Sequence, residues 1–422
     1  MRFHRFASLL PSPEGAPRVA APPYDVVNRE EARRLAAGNP DSFLHIGRSD
    51  IDLPDSVDQY DPRIYSGSRA ALDQFVERGV LRRDGTASVY LYRLVMNGIP
   101  QVGVVGCVHI DDYEKDIIKK HERTRPDKED DRTRHVLTLN ANAEPVFLSY
   151  RDQADRRTGG QADSDGSARQ LDQLMGRDMA GEPIFDFESP DGVRHTGWRV
   201  KDPSVYEMVF QAIPVCYVAD GHHRCASAWR AGQELRSKNP GHTGNEEYNW
   251  FLAVLFPSSQ LRILPYNRLV RDLSGLSPAE FLRGLASVGR VTANAPATPA
   301  RPGSFSGYIE GAWHGVELNA ALIKPGDPLA GLDASLIQEH VLGPMLKIGD
   351  PRTDKRIDFV GGIRGTQELE RRVNSGEMAA AFSLFPTSMD QLFAVADAGL
   401  MMPPKSTWFE PKLKSGLFVH TL

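Results

Sequence analysis

The stretch Val215-Cys216-Tyr217-Val218-Ala219-Asp220-Gly221-His222-His223-Arg224-Cys225-Ala226-Ser227 decides how the middle of this chain folds. Residues 212–218 are apolar and β-branched enough to predict a buried strand, and the small residues after Arg224 predict a helix packed on it. Gly221 lies between the two elements, and a residue without a Cβ permits a sharp turn. We therefore predict a strand, a tight turn and a helix, with polar side chains gathered at the turn.

This turn has the features of an anion-binding site. Free N–H groups and the dipole of the following helix favour negative charge, and Gly221 lets an anion approach the backbone. His222, His223 and Arg224 would add positive charge where phosphate oxygens could lie. Neighbouring side chains diverge, so a buried structural role for both histidines would leave several ring nitrogens to satisfy. We therefore favour a functional role for the turn.

The composition is that of an ordinary soluble globular protein. The 422 residues are 41% apolar and 25% charged, and they exceed one typical core, so we expect two or three subdomains. The net charge of −5 argues against a broad nucleic-acid surface, which needs a basic footprint. No apolar run reaches the roughly 20 residues of a membrane span, and no signal-peptide core is present. We expect neither nucleic acid nor membrane as a partner.

The cysteines bear on two questions, the redox state of the compartment and the presence of a zinc site. Cys107, Cys216 and Cys225 are odd in number and lack CxxC spacing, which is typical of a reducing compartment, so we expect a cytoplasmic protein. A zinc site built from Cys216, Cys225, His222 and His121 has suitable ligand types, but the spacings do not fit structural zinc patterns. No Walker loop or dinucleotide fingerprint occurs, so phosphate chemistry would need a different cradle.

The predicted elements place a β-rich core early in the chain and a separate α/β region at its end. Strands over residues 88–96 and 101–108 surround Asn97-Gly98, which is a hairpin signal. Ser277-Pro278-Ala279-Glu280 has the form of a capping box and opens a helix. Strand and helix patterns then alternate without an internal repeat.

We predict a mixed α/β protein in four parts. Polar composition without apolar periodicity predicts a mobile loop or linker between the two parts of the core. The parts are residues 1–150, an N-terminal arm with the first part of the core; residues 151–170, the loop or linker; residues 171–270, the second part of the core with the turn; and residues 271–422, a C-terminal α/β subdomain.

Three other polar stretches have a structural explanation beside a functional one. The charged run over residues 119–135 is more typical of a solvated loop. Asp350 to Arg356 is more typical of a turn with local ion pairs. The proline-rich, aromatic tail over residues 401–412 serves as well to dock the C-terminus as to complete a site.

Four motifs together resemble the bacterial family known as domain of unknown function 1015. The motifs are Pro23-Tyr24-Asp25-Val26-Val27, His121-Glu122-Arg123-Thr124, Asp220-Gly221-His222-His223-Arg224 and Met402-Pro403-Pro404-Lys405-Ser406-Thr407-Trp408-Phe409. They occur in the family's order and span nearly the whole chain.

A more distant resemblance implies a fold and a mechanism. The Gly-x-x-Arg turn before a helix of small residues resembles the phosphate-binding motif of the ParB and sulfiredoxin superfamily. Asp-Gly-His-His-Arg is similar to the motif of archaeal free-serine kinases. The resemblance implies a ParB/sulfiredoxin-like core with large insertions and an additional C-terminal α/β subdomain. It also implies that Glu122, which follows His121, is the base that activates the serine hydroxyl.

The chemical requirements of phosphoryl transfer assign a role to each of the predicted site residues. Transfer requires a positively lined cradle, a divalent metal, and a base or orienting group at the hydroxyl. Glu122 and Asp220 are the predicted catalytic residues, and Asp220 could also hold Mg²⁺. The predicted phosphate contacts are Gly221, His222, His223, Arg224, Arg123 and Lys405, and the predicted substrate contacts are His121 and Thr124.

These roles predict a cytoplasmic small-molecule kinase that converts free L-serine to O-phosphoserine. The donor is ATP, ADP or pyrophosphate, with Mg²⁺, and a homodimer is compatible with the sequence. The alternative is a ParB-like nucleotide-binding or nucleotide-hydrolysing regulatory module without kinase activity. The acidic net charge and the lack of a recognisable helix-turn-helix count against a DNA-associated role. A third interpretation is a scaffold whose turn binds an anion for stability.

Overall fold

A computed structural model describes residues 1–152, 165–324 and 326–422 of the protein. Contacts within the chain divide it into two units. Unit 1 comprises Met1–Lys120, Thr124–Leu261 and Pro411–Leu422, and unit 2 comprises His121–Arg123 and Arg262–Glu410. The predicted loop or linker over residues 151–170 falls mostly on residues 153–164, which lie outside the described residues. The other predicted boundaries stay predictions.

The described strands are short to medium in length and are numbered in chain order. The first eleven are β1 (Phe3–His4), β2 (Leu9–Pro11), β3 (Leu81–Arg83), β4 (Tyr90–Met96), β5 (Ile99–His109), β6 (Ile118–Lys119), β7 (Ala141–Asn142), β8 (Val146–Tyr150), β9 (Phe185–Glu188), β10 (Arg194–Arg199) and β11 (Cys216–Asp220). They continue as β12 (Trp250–Pro257), β13 (Arg262–Leu264), β14 (Tyr266–Val270), β15 (Gly289–Ala293), β16 (Ser304–Ile309), β17 (Ala312–Leu318), β18 (Ile357–Gly361), β19 (Ala380–Leu384), β20 (Trp408–Glu410) and β21 (His420–Thr421).

Helices alternate with these strands, so the protein has the predicted mixed α/β class. They are α1 (Ala16–Val19), α2 (Arg29–Ala36), α3 (Leu44–Gly47), α4 (Pro62–Glu77), α5 (Ile110–Glu114), α6 (Pro126–Leu139), α7 (Asp165–Met179), α8 (Pro203–Ala212), α9 (His222–Lys238), α10 (Pro278–Val288), α11 (Asp333–Ile337), α12 (Gly365–Asn374) and α13 (Met389–Asp397). Short 3₁₀ turns cover Ser49–Asp52, Glu247–Asn249, Ser258–Gln260, Ala320–Leu322 and Gly362–Arg364, and a π-helical turn covers Gln338–Leu342. Among the described residues, none of these helices has the length and apolar character needed to cross a membrane.

A mixed sheet of nine described strands forms the centre of unit 1. Its order is β6-β11-β8-β12-β5-β4-β10-β9, and β1 pairs with β5. β11 runs parallel to β6 and antiparallel to β8, and β12 runs parallel to β8 and antiparallel to β5. β11, which leads into the predicted turn, is therefore held by hydrogen bonds on both sides.

Local sequence explains the central hairpin of this sheet. Asn97 and Gly98 both have positive φ angles, 52° and 76°, which suit a two-residue turn between twisted strands. β4 and β5 pair from Met96 opposite Ile99 down to Tyr90 opposite Val105. The predicted hairpin is confirmed, and Pro100 is accommodated within it.

The strand and helix around the predicted turn are anchored in the main core of unit 1. Val218 of β11 and Cys225 and Ala226 of α9 are buried in one apolar cluster with residues of β4, β5, β8 and β12. Burial of this kind stabilises the two elements on either side of Gly221 and leaves the polar turn at their junction.

Both ends of the chain pack within unit 1. Leu9 forms a β-bridge with Val419, and Ala21 forms one with Ser415. β21 pairs with β7. The segment Pro411–Leu422 is therefore part of the same unit as the predicted turn.

Unit 2 contains an antiparallel sheet of six described strands in the order β15-β17-β16-β19-β14-β18, and a separate pair formed by β13 and β20. The predicted capping box is confirmed at the start of α10, where the Ser277 side chain accepts from the Glu280 N–H and the Glu280 side chain accepts from Ser277 N–H. α10 then buries Phe281 and Leu285 in the core of the sheet.

Two sequence predictions are wrong in part. The strand predicted over residues 212–218 begins only at Cys216. Asp202 caps the preceding helix α8, and the buried apolar face of α8 keeps the chain helical as far as Ala212. The charged run over residues 119–135 is mainly the helix α6 and not a solvated loop. Several of its polar residues, including Asp131 and Arg132, are buried.

Candidate functional site

The predicted turn lies where β11 ends and α9 begins. Gly221 has φ of 97°, a left-handed conformation that glycine adopts without the steric cost of a Cβ. The first N–H groups of a helix have no partner inside it, and no side chain of Gly221 can cap α9. Those N–H groups are therefore able to face an anionic ligand.

Asp220, the last residue of β11, pairs with a lysine from the end of the chain. Lys412 Nζ donates a hydrogen bond of 2.8 Å to Asp220 Oδ2. Burial alone would raise the pKa of Asp220, but the positive charges of Lys412 and Arg224 hold that pKa well below its ordinary value. Asp220 is therefore an ionised carboxylate at neutral pH.

His222, the first residue of α9, is buried beside Asp220. Burial lowers the pKa of His222 to about 3, and the charge of Asp220 offsets this effect only in part. His222 is therefore a neutral imidazole at neutral pH. It can exchange hydrogen bonds with a phosphate but does not bring the positive charge that the sequence suggested.

His223 connects the turn to the start of α6. The backbone N–H of Arg125 donates to His223 Nε2 over 3.1 Å. The preceding residue, Thr124, donates from its hydroxyl to the Glu129 carboxylate, which also lies 3.3 Å from Arg230. Thr124, a predicted substrate contact, and His223, a predicted phosphate contact, therefore both lie near the start of α6 in unit 1.

Arg224 points into the protein. Its Nη1 donates to the carbonyl oxygen of Pro145 over 3.0 Å, and its Nη2 donates to Asp25 Oδ1 over 2.9 Å. Nε lies 3.5 Å from Glu144 Oε2. Burial acts to lower the pKa of Arg224, but Asp25 and Glu144 reverse this and raise it, so the guanidinium stays charged.

The N-terminal motif Pro23-Tyr24-Asp25-Val26-Val27 supplies much of this environment. Two guanidinium groups lie near the Tyr24 ring, with Arg132 Cζ 4.3 Å and Arg224 Cζ 5.8 Å from its centre. Such contacts stabilise a cation over an aromatic ring. Tyr24 and Asp25 therefore hold Arg224, and through it the first turn of α9, in one position.

A small cavity lined by both polar and apolar residues lies beside Arg224. Its volume is about 30 Å³, which is room for one or two water molecules. Buried polar and charged side chains line it, including Arg132, His135, Asn142, Glu144 and Arg224. The cavity is too small for a substrate, so it belongs to the support of the turn.

The remaining predicted site residues belong to unit 2. The carbonyl oxygen of His121 accepts from the Met402 N–H over 2.8 Å, and His121 Nε2 lies 3.4 Å from Thr407 Oγ1. Glu122 is half-buried and Arg123 is exposed. The tail motif therefore contacts the His121 stretch inside unit 2.

The family model described as a protein of unknown function (DUF1015) matches residues 4–335. The chain belongs to this family. No curated protein matches the chain.

Solved structures similar to this DUF1015 protein are distant from it in sequence. A free serine kinase in complex with AMP is 12% identical, with 74% of this chain and 90% of that chain covered and a TM-score of 0.34. C-terminally truncated SbnI from Staphylococcus aureus is 12% identical, with 75% and 87% covered and a TM-score of 0.38. A conserved hypothetical protein from Pyrococcus furiosus is 13% identical, with 75% and 94% covered and a TM-score of 0.34.

A divalent metal would find one suitable ligand at the turn of this DUF1015 protein. Mg²⁺ is commonly bound by one or two carboxylates together with phosphate oxygens and water. The ionised, partly exposed Asp220 fits that mode through the oxygen that Lys412 does not contact. Among the described residues, no three His, Cys, Asp or Glu side chains group as metal ligands. Burial raises the pKa of Cys216 and Cys225, so neither offers the thiolate that zinc requires.

Sequence reasoning missed Lys412 and Asp25 as neighbours of the turn. Asp25 lies in a motif that carried the family resemblance, and Lys412 follows three residues after the last residue of another. Each charged residue lies within two positions of a proline, and this proximity is the signal that the sequence offers. Their partners in the turn are 199 and 192 positions away along the chain.

Proposed function

We propose that this DUF1015 protein is a phosphotransferase that moves a phosphoryl group from a nucleotide or pyrophosphate to the hydroxyl of free serine. The observation that carries the proposal is the ionised Asp220 beside the uncapped start of α9, paired with Lys412. The motif resemblance to free-serine kinases names the acceptor. The ParB/sulfiredoxin-like core that the resemblance implies is part of the same proposal.

The donor phosphates would bind at the first turn of α9. Backbone N–H groups after Gly221 and the helix dipole attract the negative charge, and His222 and His223 add hydrogen bonds. Lys412 supplies the mobile positive charge, because its ammonium group needs to move little to contact a phosphate oxygen beside Asp220. We propose that Arg224 does not contact the phosphate. Its internal hydrogen bonds fix the turn, and its positive charge attracts the phosphate from a distance.

Two carboxylates would act on the acceptor hydroxyl, one to orient it and the other to accept its proton. Because its pKa lies well below the ordinary value, Asp220 is a weak proton acceptor at neutral pH. It is better suited to orient the hydroxyl or to hold Mg²⁺. The base is then Glu122, as the motif resemblance implies, with His121 and Thr124 as substrate contacts.

The transfer step is balanced with these groups. The serine oxygen forms a bond to the terminal phosphorus of the donor, and the bond from that phosphorus to the bridging oxygen breaks. The electron pair leaves with the shortened donor, and the hydroxyl proton passes to Glu122. Mg²⁺, when bound, would offset the charge of the donor phosphates. Arg123 and Lys405 remain predicted phosphate contacts, and a homodimer remains a prediction.

A product assay tests the proposal. The purified full-length chain is incubated with serine, Mg²⁺ and each of ATP, ADP and pyrophosphate, and phosphoserine is measured by mass spectrometry. We expect phosphoserine with at least one donor. The absence of phosphoserine with every donor would reject the serine-kinase proposal. Nucleotide hydrolysis without phosphoserine would favour the regulatory module instead.

A further inference from the structure

Arg268 in unit 2 is a buried arginine without a carboxylate partner among the described residues. It lies in β14 with 3% of its surface exposed. Its Nη1 donates to the carbonyl oxygen of Tyr266, and its Nη2 lies 3.5 Å from the carbonyl oxygen of Pro404. Both partners are neutral, so no group in the described part of the chain balances the charge of Arg268.

The other buried arginines in the described ranges all contact carboxylates. The pairs are Arg132 with Asp131, Arg224 with Asp25 and Glu144, and Arg372 with Asp358 and Glu377. Burial lowers the pKa of Arg268 to about 10 because no carboxylate opposes the effect. A buried cation without a counter-charge opposes folding, and perturbed groups of this kind are typical of ligand sites.

A second cation, Lys405, follows the proline whose carbonyl oxygen Arg268 contacts. Lys405 Nζ lies 5.3 Å from the centre of the Tyr266 ring. The backbone of Lys405 has φ of 57°, a left-handed conformation that a residue with a Cβ adopts at a cost. Pro404 is partly exposed and Lys405 is exposed, so the segment that contacts Arg268 Nη2 lies at the surface of unit 2.

An aromatic ring lies beside each of the two cations. The Tyr266 ring meets the rings of Phe359 and Trp408 edge to face, at centre distances of 6.1 and 5.1 Å. Arg268 Cζ lies 5.4 Å from the centre of the Phe359 ring. All three rings are partly exposed. A ligand at this place would therefore meet both positive charge and apolar surface.

We propose that Arg268 and Lys405 bind an oxyanion, the phosphate or carboxylate group of a small molecule, and that Tyr266, Phe359 and Trp408 contact the rest of it. The oxyanion would replace the long contact between Arg268 and Pro404 with charge-assisted hydrogen bonds, and a guanidinium can bind two oxygens at once. Of these five residues, only Lys405 is a phosphate contact predicted from the sequence. Lys405 is also a predicted phosphate contact of the proposed phosphotransfer, but the anion site is argued from the buried Arg268 and its neighbours in unit 2 and does not require that reaction.

Hydrogen–deuterium exchange of the full-length chain tests this site. Exchange is measured without added anion, with sodium phosphate and with sodium acetate, at constant ionic strength set by sodium chloride. We expect phosphate or acetate to slow exchange over residues 262–270 and 401–410. The anion that protects identifies which oxyanion is preferred, and the peptide map separates this site from the turn in unit 1.

Matched variants assign the protection to the two cations. Lys405→Ala should weaken the apparent affinity for the protecting anion about tenfold. Lys347→Ala is the control, because Lys347 is also an exposed lysine of unit 2 with φ of 57° and should leave the affinity unchanged. Arg268→Gln should abolish protection. Should Arg268→Gln fail to fold, Arg268→Lys should retain weakened protection.

Protection of these peptides by neither anion would overturn the inference, and so would equal protection in the wild type and in Lys405→Ala. The phosphoserine assay reports separately on the proposed function. A chain that forms phosphoserine but shows no protection in unit 2 refutes the anion site alone. A chain that shows protection but forms no phosphoserine refutes the phosphotransfer alone.

Discussion

The segment Pro411–Leu422 makes two lysine–aspartate pairs in unit 1 that differ in their surroundings. Lys412 contacts Asp220 over 2.8 Å, and Lys414 contacts Asp191 over 2.5 Å. Both lysines are mostly buried, with 16% and 10% of their side chains exposed, and each pair lies near a buried histidine whose pKa burial lowers to about 3. The two pairs match in type and in the burial of the lysine, whereas the Asp191 side chain is 54% exposed and that of Asp220 is 28% exposed.

The partners beyond each pair distinguish a candidate site from a structural contact. Asp191 lies in the turn between β9 and β10, where Ser189 connects it by hydrogen bonds to His195 and, beyond that, to Tyr92. Each side chain in this series of hydrogen bonds therefore has a partner within unit 1. Asp220 instead lies at the end of a strand, before an uncapped helix, with Arg224 fixed behind it. An ion pair alone does not mark a functional site, and the position of Asp220 at the start of a helix that no Gly221 side chain caps makes the difference.

Arg224→Met should have the largest effect, on stability. The change leaves Asp25 and Glu144 without their cation, and losing one partner of a buried pair typically costs about 3–5 kcal/mol. Urea unfolding followed by circular dichroism measures the loss. The exposed Arg194, paired with Asp186, is the control, since Arg194→Met should cost less than about 1 kcal/mol. Equal losses for the two variants would show that Arg224 does not hold the turn.

Lys412→Ala should lower the rate of phosphoserine formation about 100-fold, roughly 2.7 kcal/mol of transition-state stabilisation. It should also move the acidic limb of the pH–rate profile to higher pH, because Lys412 helps to keep the pKa of Asp220 low. Lys414→Ala removes the matched lysine and should leave rate and profile unchanged. A similar fall in both variants would indicate a general loss of structure.

The two buried histidines should make stability depend on pH in the same direction. Each has a folded-state pKa of about 3, whereas an unfolded histidine has a pKa of about 6.5. Their contribution is therefore present above pH 6.5 and is lost as pH falls toward 3, by up to about 1.4 kcal/mol per pH unit for each histidine. His195→Gln should remove that share of the slope in urea unfolding between pH 7 and pH 5. An unchanged slope would contradict the buried neutral state of His195.

Asp25→Asn should have the smallest effect. Arg224 keeps Glu144 as a charged partner, and Asp25 is partly exposed, so we expect a loss of about 1 kcal/mol. The urea midpoint measures it. A loss as large as that of Arg224→Met would mean that Asp25, and not Glu144, carries most of the charge balance.

Local signals predicted the elements that depend on neighbouring residues. The Asn97-Gly98 hairpin and the Ser277–Glu280 capping box are confirmed because each is determined within a few positions. The strand, turn and helix around Gly221 are present for the same reason.

Elements and contacts that depend on distant partners could not be predicted from the sequence. The charged run at α6 forms a helix because its buried charges find partners in other segments, such as Tyr65 for Asp131 and Tyr24 for Arg132. Lys412 and Asp25 reach the turn from opposite ends of the chain. A linear pattern shows that these residues are charged but does not show what they contact. The catalytic roles of Glu122 and Asp220 stay predictions.

The most direct test of the account compares Asp220→Asn with Asp191→Asn in the phosphoserine assay. Both changes remove the carboxylate charge from a lysine–aspartate pair in unit 1, and urea unfolding of each variant measures its cost to folding. We expect Asp220→Asn to lower the rate at least about 100-fold, and Asp191→Asn to keep it within about twofold of the wild type. Wild-type rates in Asp220→Asn would contradict the assignment of the turn as the phosphotransfer site.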